Sequence, residues 1–244
     1  MPAKSDRQYR EQIVQFGRMM YDRQYVAATD GNLSVRLEDG LILATPTGVS
    51  KGMMDPEDLV VVDVEGRRRS GGRNVSSEIA MHLMIYRLRP EIGGIVHAHP
   101  PTATGFAAAG LALDQPLLSE AVLCLGSVPL AQYGTPGTPE LTDALLPLVR
   151  GYEAILMANH GVVTYGEDLH RAYMKMEVVE HYAKVALVTI MLGRQKLLSH
   201  KDVEKLVAAR AIYAGTAGNS CNNAADHQPE LARDPELAHK KRSG

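Results

Sequence analysis

Residues 94–100 constrain the fold more than any other part of this 244-residue chain. Apolar residues lead up to this stretch and Pro100-Pro101 follows, which predicts the end of a buried strand that opens into a loop. Successive strand side chains point to opposite faces, so His97 and His99 share one face. Two neutral imidazoles at this spacing on a rigid element can bind one divalent metal. A complete site needs further ligands from elsewhere in the chain.

A third histidine ends another apolar run. Residues 154–160 predict a second buried strand that ends at His160, and an extended segment continues to Gly166. If the two strands are neighbours in a sheet, their ends bring His160 to the His97/His99 pair and leave one coordination position vacant. Such a set suits catalysis better than structure. Alternatively, His97 and His99 are half-buried polar residues at a strand terminus.

A predicted helix over residues 76–88 runs directly into the histidine-bearing strand and carries Glu78 in its first turn. Ser76 and Ser77 put hydroxyls and free N–H groups at the same terminus, which favours an anion such as phosphate. A carboxylate beside both a phosphate and a metal is suited to moving a proton on a metal-bound carbonyl substrate. Alternatively, these residues only cap the helix. Two turn-type segments that could add donors are Gly31-Asn32 and Thr47-Gly48.

The hydrophobic pattern predicts one layered α/β or α+β domain. Hydrophobic residues make up 45% of the chain, enough for a substantial core. Strand-like runs lie in both halves and are separated by helical segments, the longest over residues 168–192. Beyond Tyr213 the composition shifts to Gly, Ala, Asn, Pro and charge. We therefore expect a single domain over residues 1–213 and a loose polar tail over residues 214–244.

Composition argues against several classes of partner. The net charge of −2, from 26 basic and 28 acidic residues, gives no reason to expect nucleic acid or a membrane surface. No apolar run reaches the roughly 18 residues of a membrane span, and no signal peptide is visible. We expect a cytoplasmic protein. Arg67-Arg68-Arg69 predicts a solvated turn. Lys51 and Arg36 could approach the turn segments at Gly31-Asn32 and Thr47-Gly48, but a solvated surface is the preferred interpretation.

Five motifs together resemble the class II aldolase and adducin-head family, in the same order and with similar spacing. The resemblance covers nearly the whole chain before the tail, from the first helix to about Tyr213. It implies a central, mostly antiparallel sheet flanked by helices. The motifs are Gly31-Asn32-Leu33-Ser34, Thr45-Pro46-Thr47-Gly48, Ser76-Ser77-Glu78, His97-Ala98-His99-Pro100 and Ala158-Asn159-His160-Gly161.

The fuculose-1-phosphate aldolase branch supplies expected roles for the matching residues. By this resemblance His97, His99 and His160 bind one divalent metal per subunit, zinc in the first place and otherwise manganese or cobalt. Glu78 is the acid/base and a possible fourth ligand. Family members are typically homotetramers whose site lies between subunits. The expected phosphate-binding positions are Asn32, Thr47, Gly48, Ser76 and Ser77.

The implied activity is cleavage of a ketose 1-phosphate, of the fuculose, ribulose, 5-deoxyribulose or 5-methylthioribulose type, to dihydroxyacetone phosphate and an aldehyde. The aldolase branch uses a tyrosine from a neighbouring subunit where this chain has Glu120, which instead resembles the acid/base of the methylthioribulose-1-phosphate dehydratases. Tyr213 matches a second family tyrosine. Glu120 is alternatively a surface carboxylate and Tyr213 an aromatic anchor. A dehydratase, a phospho-tetronate decarboxylase and a non-catalytic adducin-like assembly domain remain alternatives.

Overall fold

The structure is a computed structural model that describes residues 5–216, with side chains to residue 209. Its helices are α1 (Asp6–Asp22), α2 (Ile79–Leu88), α3 (Pro101–Ala108), α4 (Ser119–Cys124), α5 (Pro139–Leu145), α6 (Leu169–Met191) and α7 (His200–Thr216), with a 3-10 turn at Pro56–Asp58. Its strands are β1 (Asn32–Arg36), β2 (Ile42–Ala44), β3 (Val60–Val62), β4 (Arg68–Ser70), β5 (Gly94–Ala98), β6 (Leu130–Ala131), β7 (Ala154–Met157) and β8 (Gly161–Gly166). None of the described helices is both long and apolar enough to cross a membrane.

One eight-stranded sheet organises these elements in the order β4-β3-β2-β1-β5-β8-β7-β6. Neighbouring strands are antiparallel except for the β6/β7 pair, which is parallel. The expectation of a mostly antiparallel sheet flanked by helices is confirmed. Strands β1, β5 and β8 lie at the centre, and β5 pairs with both of the others.

The two faces of the sheet pack against different helices because strand side chains alternate. On one face, α1, α3 and α6 bury residues such as Phe16, Phe106 and Tyr173 against Val96 of β5. On the other face, α2 and α5 pack on Ile95 and its neighbours. His97 is two residues beyond Ile95 and so faces the α2 side.

The start of α2 differs from the prediction. The helix begins at Ile79, so Glu78 is its N-cap residue and does not lie in the first turn. Ser76 explains the late start, because its hydroxyl accepts from the Glu78 N–H at 3.3 Å and its carbonyl from the Ile79 N–H at 3.1 Å. These bonds turn the Glu78 side chain toward β5.

The structure corrects the predictions for three basic positions. Arg68 and Arg69 are exposed as predicted, but they belong to the edge strand β4 and not to a turn, and Arg69 contacts Asp63 at 2.8 Å. Lys51 is buried, with Nζ donating to the carbonyls of Thr29 and Val49 at 2.9 and 2.7 Å. Its two hydrogen bonds therefore connect the loop that precedes Asn32 to the loop that follows Thr47. Arg36 is half-buried, lies over the Tyr86 ring and donates to the carbonyls of Tyr86 and Ile92.

Candidate metal centre

His97 is held rigidly at the centre of the sheet. Its side chain is fully buried on β5, and Nδ1 lies 2.9 Å from the carbonyl oxygen of Val162 on β8. A carbonyl can only accept, so Nδ1 carries the proton and the neutral ring presents a lone pair at Nε2. This arrangement is the usual way in which a protein fixes the tautomer of a metal-binding histidine.

His99 and His160 approach from two loops that meet beside β5. His99 follows β5 directly, whereas His160 lies in the β7/β8 turn, three residues beyond the end of β7 and not on the strand as predicted. Asn159 has a positive φ of 54°, which the tight turn requires. A Cβ at Gly161 would come within 2.5 Å of His99 Cδ2, so only glycine allows this approach. Asn159 thus supplies the positive φ of the turn, and Gly161 leaves room for His99 next to His160.

The three imidazoles converge on one point. Their candidate ligand atoms all lie within 4.8 Å of one another, and the ring centroids are 4.8 to 5.1 Å apart. His97 Nε2 and His99 Nε2 are separated by 3.2 Å. Two nitrogens bound to one tetrahedral zinc at about 2.0 to 2.1 Å are about 3.3 Å apart. The spacing therefore fits ligands of a single small cation.

Glu78 closes the fourth side of this cluster. Its Oε2 lies 3.1 Å from His97 Nε2, and its Oε1 lies 3.2 Å from His160 Nε2. The Asn32 amide donates to Oε2 at 2.8 Å. A carboxylate and an imidazole lone pair are both acceptors, so this approach requires a cation between them, either a proton or a metal. Glu78 Oε1 and His160 Nδ1 are also buried without a hydrogen-bond partner among the described residues.

The local electrostatics favour the protonation states that metal binding needs at three of the four candidate ligands. Burial, assisted by nearby His97, lowers the pKa of His99 and of His160 to about 4, so both are neutral at pH 7. Burial alone would raise the pKa of Glu78, but the His97 and His160 imidazoles and the Asn32 amide outweigh it, and the pKa falls below the usual range. Burial would likewise lower the pKa of His97, yet Glu78 raises it. An ionised carboxylate thus faces three nitrogen donors.

The segments expected to bind phosphate adjoin the cluster. Thr47 N–H donates to the Asn74 carbonyl at 3.0 Å and Ser76 N–H to the Thr45 carbonyl at 3.1 Å, which places the 45–48 loop against the 74–77 segment. Gly48 has a φ of 70°, and a Cβ there would meet nothing within 4 Å. Asn32 is paired directly with His97 in the β1/β5 register. The segments around Asn32, 45–48 and 74–77 thus lie on the same side of the sheet as the histidines.

Two predicted site residues lie elsewhere or beyond the described side chains. Glu120 is exposed in the first turn of α4, and within the described part of the chain the histidine cluster makes no hydrogen bond or ion pair with it. Tyr213 belongs to the backbone of α7, but its side chain lies outside the described residues.

The sequence interpretation missed two residues next to the cluster. Asp30 Oδ2 lies 3.5 Å from His99 Nδ1, on the side opposite the cluster. His82 is fully buried and its Nε2 lies 2.5 Å from the Asn32 amide oxygen. A signal for His82 was present, because it follows Glu78 by four residues and so shares its helix face.

Comparison with known proteins agrees with this geometry. The chain is 35% identical over 199 residues to the 5-deoxy-D-ribulose 1-phosphate aldolase of Bacillus thuringiensis serovar kurstaki, covering 81% of this chain and 92% of that one. It is 36% identical over 208 residues to the 3-oxo-tetronate 4-phosphate decarboxylase of Pectobacterium atrosepticum, covering 83% and 94%.

A solved L-fuculose 1-phosphate aldolase superposes with a TM-score of 0.79 at 29% identity, over 85% of this chain and 97% of that structure. Residues 11–187 match the family described as Class II Aldolase and Adducin N-terminal domain. With its antiparallel sheet and converging histidines, the chain therefore belongs to the class II aldolase and adducin family.

Proposed function

We propose that this protein is a metal-dependent aldolase that cleaves a ketose 1-phosphate to dihydroxyacetone phosphate and an aldehyde. One observation carries the proposal: the Glu78 carboxylate lies 3.1 Å from His97 Nε2 and 3.2 Å from His160 Nε2. Next to it are segments whose hydroxyl and N–H groups could bind a phosphate. An acid/base group, a cation site and an anion site within one pocket are what an enediolate-forming reaction needs.

The metal would be held by His97, His99 and His160, with Glu78 as a possible fourth ligand before substrate binds. When bound, it supplies a Lewis acid for the substrate's carbonyl and hydroxyl oxygens. Zinc fits the donor set, and manganese and cobalt accept the same imidazole and carboxylate ligands.

The phosphate of the substrate would lie at the start of α2. The Thr47 and Ser76 N–H groups are taken up by the bonds between their segments, so the donors would be the hydroxyls of Thr47, Ser76 and Ser77 and the N–H groups of Gly48 and Ser77. The positive end of the helix dipole also favours the anion. The second amide hydrogen of Asn32 is free of its bond to Glu78 and can also donate. Anchoring the phosphate sets the distance from C1 to the histidine cluster.

Glu78 would move the proton at the carbon end. When the C3–C4 bond breaks, its electron pair remains on C3 as the enediolate of dihydroxyacetone phosphate, and the C4 hydroxyl proton leaves to a base as the aldehyde forms. Glu78 is ionised beforehand, so the proton that it gives to C3 would be the one released from the C4 hydroxyl, passed on by that base. Because Oε2 is held by Asn32, Oε1 is the oxygen free to carry it. Glu120 and Tyr213, in this subunit or a neighbouring one, are the candidates for the second base.

A decarboxylase of a 3-oxo-tetronate 4-phosphate is the second candidate. Loss of carbon dioxide from that β-keto acid produces the same enediolate and, after protonation, the same dihydroxyacetone phosphate. No hydroxyl proton has to be removed, so this reaction needs no second base. The 36% identity to such a decarboxylase, beside 35% to the aldolase, supports this candidate. So does the lack of a hydrogen bond or ion pair between Glu120 and the histidine cluster within the described part of one subunit.

A product assay separates these possibilities. The zinc-, manganese- or cobalt-loaded protein is incubated with 5-deoxyribulose, fuculose, ribulose and methylthioribulose 1-phosphates and with a 3-oxo-tetronate 4-phosphate. Dihydroxyacetone phosphate is measured together with its co-product. An aldehyde supports the aldolase, carbon dioxide supports the decarboxylase, and loss of water without dihydroxyacetone phosphate supports a dehydratase. A protein that binds no divalent metal and converts none of these would point to an adducin-like assembly domain.

The quaternary arrangement belongs to the same proposal. We expect a cytoplasmic homotetramer in which a neighbouring subunit completes the site. Light scattering of the metal-loaded protein tests the tetramer, and a monomer that retains full turnover would contradict an intersubunit site.

A further inference from the structure

A buried polar ladder connects Glu78 to the interior of the protein. Glu78, His82 and Tyr86 are spaced four residues apart along one face of α2. Asn32 and Ser34 are two apart on β1, so they share the sheet face that α2 covers. The five side chains interleave, and each is buried. Polar groups in such a position are stabilising only when every donor and acceptor is matched.

Four short hydrogen bonds run through this ladder without a break. Asn32 Nδ2 lies 2.8 Å from Glu78 Oε2, and Asn32 Oδ1 lies 2.5 Å from His82 Nε2. His82 Nδ1 lies 2.7 Å from Ser34 Oγ. Ser34 Oγ in turn lies 2.9 Å from the Tyr86 hydroxyl.

The carboxylate end determines the direction of every bond. Ionised Glu78 only accepts, so Asn32 must direct its amide nitrogen toward it and its amide oxygen toward His82. That oxygen also only accepts, and His82 must therefore carry its proton on Nε2. The lone pair on Nδ1 then accepts from the Ser34 hydroxyl, which accepts from Tyr86.

The ionisation states of the inner residues agree with this direction. Burial, assisted by His97, lowers the pKa of His82 to about 3, so the ring is neutral and has one N–H. Burial also raises the pKa of Tyr86, so the phenol keeps its proton. A second proton on His82 would take from the Ser34 hydroxyl its acceptor in the ladder, and an ionised Tyr86 would draw the Ser34 proton and leave His82 Nδ1 without a donor.

We propose that His82 is a positioning residue, whose Nε2–H holds the Asn32 amide against Glu78 and thereby keeps the Glu78 carboxylate aimed at the three histidines. The kinetic consequence rests on the proposed function, whereas the proton arrangement does not. Without the His82 donor, the Asn32 amide oxygen is buried without a partner, and the amide is no longer held from both ends. The Asn32 side chain would then turn away to find a donor, and the carboxylate would leave the position between His97 and His160.

The first experiment reads the proton directly. The full-length, metal-loaded protein is labelled with ¹⁵N-histidine, and His82 is assigned from the signals that vanish in His82→Gln. We expect a neutral ring protonated on Nε2 at pH 7. A ring protonated on Nδ1, or on both nitrogens, would overturn the proposal. This measurement needs no substrate, so it decides the ladder even if the protein proves to convert no sugar phosphate.

The second experiment compares two substitutions on the substrate found in the product assay. His82→Leu removes the donor, and we expect kcat to fall by about 10- to 100-fold, the usual cost of losing an orienting partner, with KM nearly unchanged. His82→Gln retains an N–H at a similar reach and should recover most of the loss. Ile85→Val controls for weakened packing of the same helix and should leave kcat unchanged. Equal losses in His82→Leu and His82→Gln, or no loss in either, would overturn the proposal.

Discussion

Replacing Glu78 by Gln tests the acid/base role with little change of shape. The residue is buried between Asn32 and two imidazoles, and glutamine fills the same volume. Its amide oxygen can keep the 2.8 Å bond from Asn32, and its amide nitrogen then takes the place of Oε1, 3.2 Å from His160 Nε2. The substitution thus removes the charge and the transferable proton while the ladder of hydrogen bonds stays satisfied.

The expected loss follows from what Glu78 would do. A positioned general acid or base contributes about 10²- to 10⁴-fold to a rate, so kcat should fall by that factor, equivalent to about 3 to 5 kcal/mol in the barrier. Metal binding should persist, because His97, His99 and His160 remain and three imidazoles suffice for a catalytic zinc site. Loss of turnover with retained metal is the signature of the acid/base role.

The assay measures dihydroxyacetone phosphate by coupled reduction and bound metal by elemental analysis on the same preparation. Glu11→Gln on α1 is the matched control, because Glu11 is exposed and, among the described residues, forms its ion pair with Arg7 of its own helix. A Glu78→Gln protein with turnover near that of the control would contradict the acid/base role of Glu78. A protein that lost its metal would instead assign Glu78 to coordination.

Three further predictions concern the metal and the frame around it. His160→Ala should reduce bound metal to background. In the wild type, metal at a thousand times Kd stabilises the fold by about 4 kcal/mol, so a chelator should lower the melting temperature. The same chelator should not change the melting temperature of His160→Ala. Glu180 is buried and accepts hydrogen bonds from the Thr102 and Ala103 N–H groups at the start of α3, beside His99. Glu180→Leu should therefore lower the free energy of unfolding by about 2 to 4 kcal/mol, measured as a lower urea midpoint. Burial lowers the pKa of Lys51 from 10.5 to about 8. Between these pH values the folded state binds fewer protons than the unfolded state, so the free energy of unfolding should increase with pH by up to about 3 kcal/mol. Urea titrations of Lys51→Met should show no such increase.

Much of the fold was predictable from local pattern. β-branched runs, helical periodicity and turn residues predicted a layered α/β or α+β domain, because these signals depend on the alternation of side chains within each element. The mostly antiparallel sheet flanked by helices was an expectation from the family resemblance. Glu78 was wrongly placed within α2, because periodicity does not reveal the bonds that the Ser76 hydroxyl and carbonyl make to Glu78 and Ile79. The burial of Lys51 was missed because its carbonyl partners lie on loops whose approach depends on the whole sheet.

The alternation of strand side chains was enough to place His97 and His99 on one face, and the motifs in the chain were enough to indicate its family. How the metal-binding donors meet depends on the three-dimensional packing. His97 is oriented by a carbonyl 65 residues away, and His160 arrives through the β7/β8 turn. The ladder from Glu78 to Tyr86 needs α2 packed on β1. Such contacts join segments distant in sequence, and they exist only after antiparallel pairing has set which residues are opposite each other.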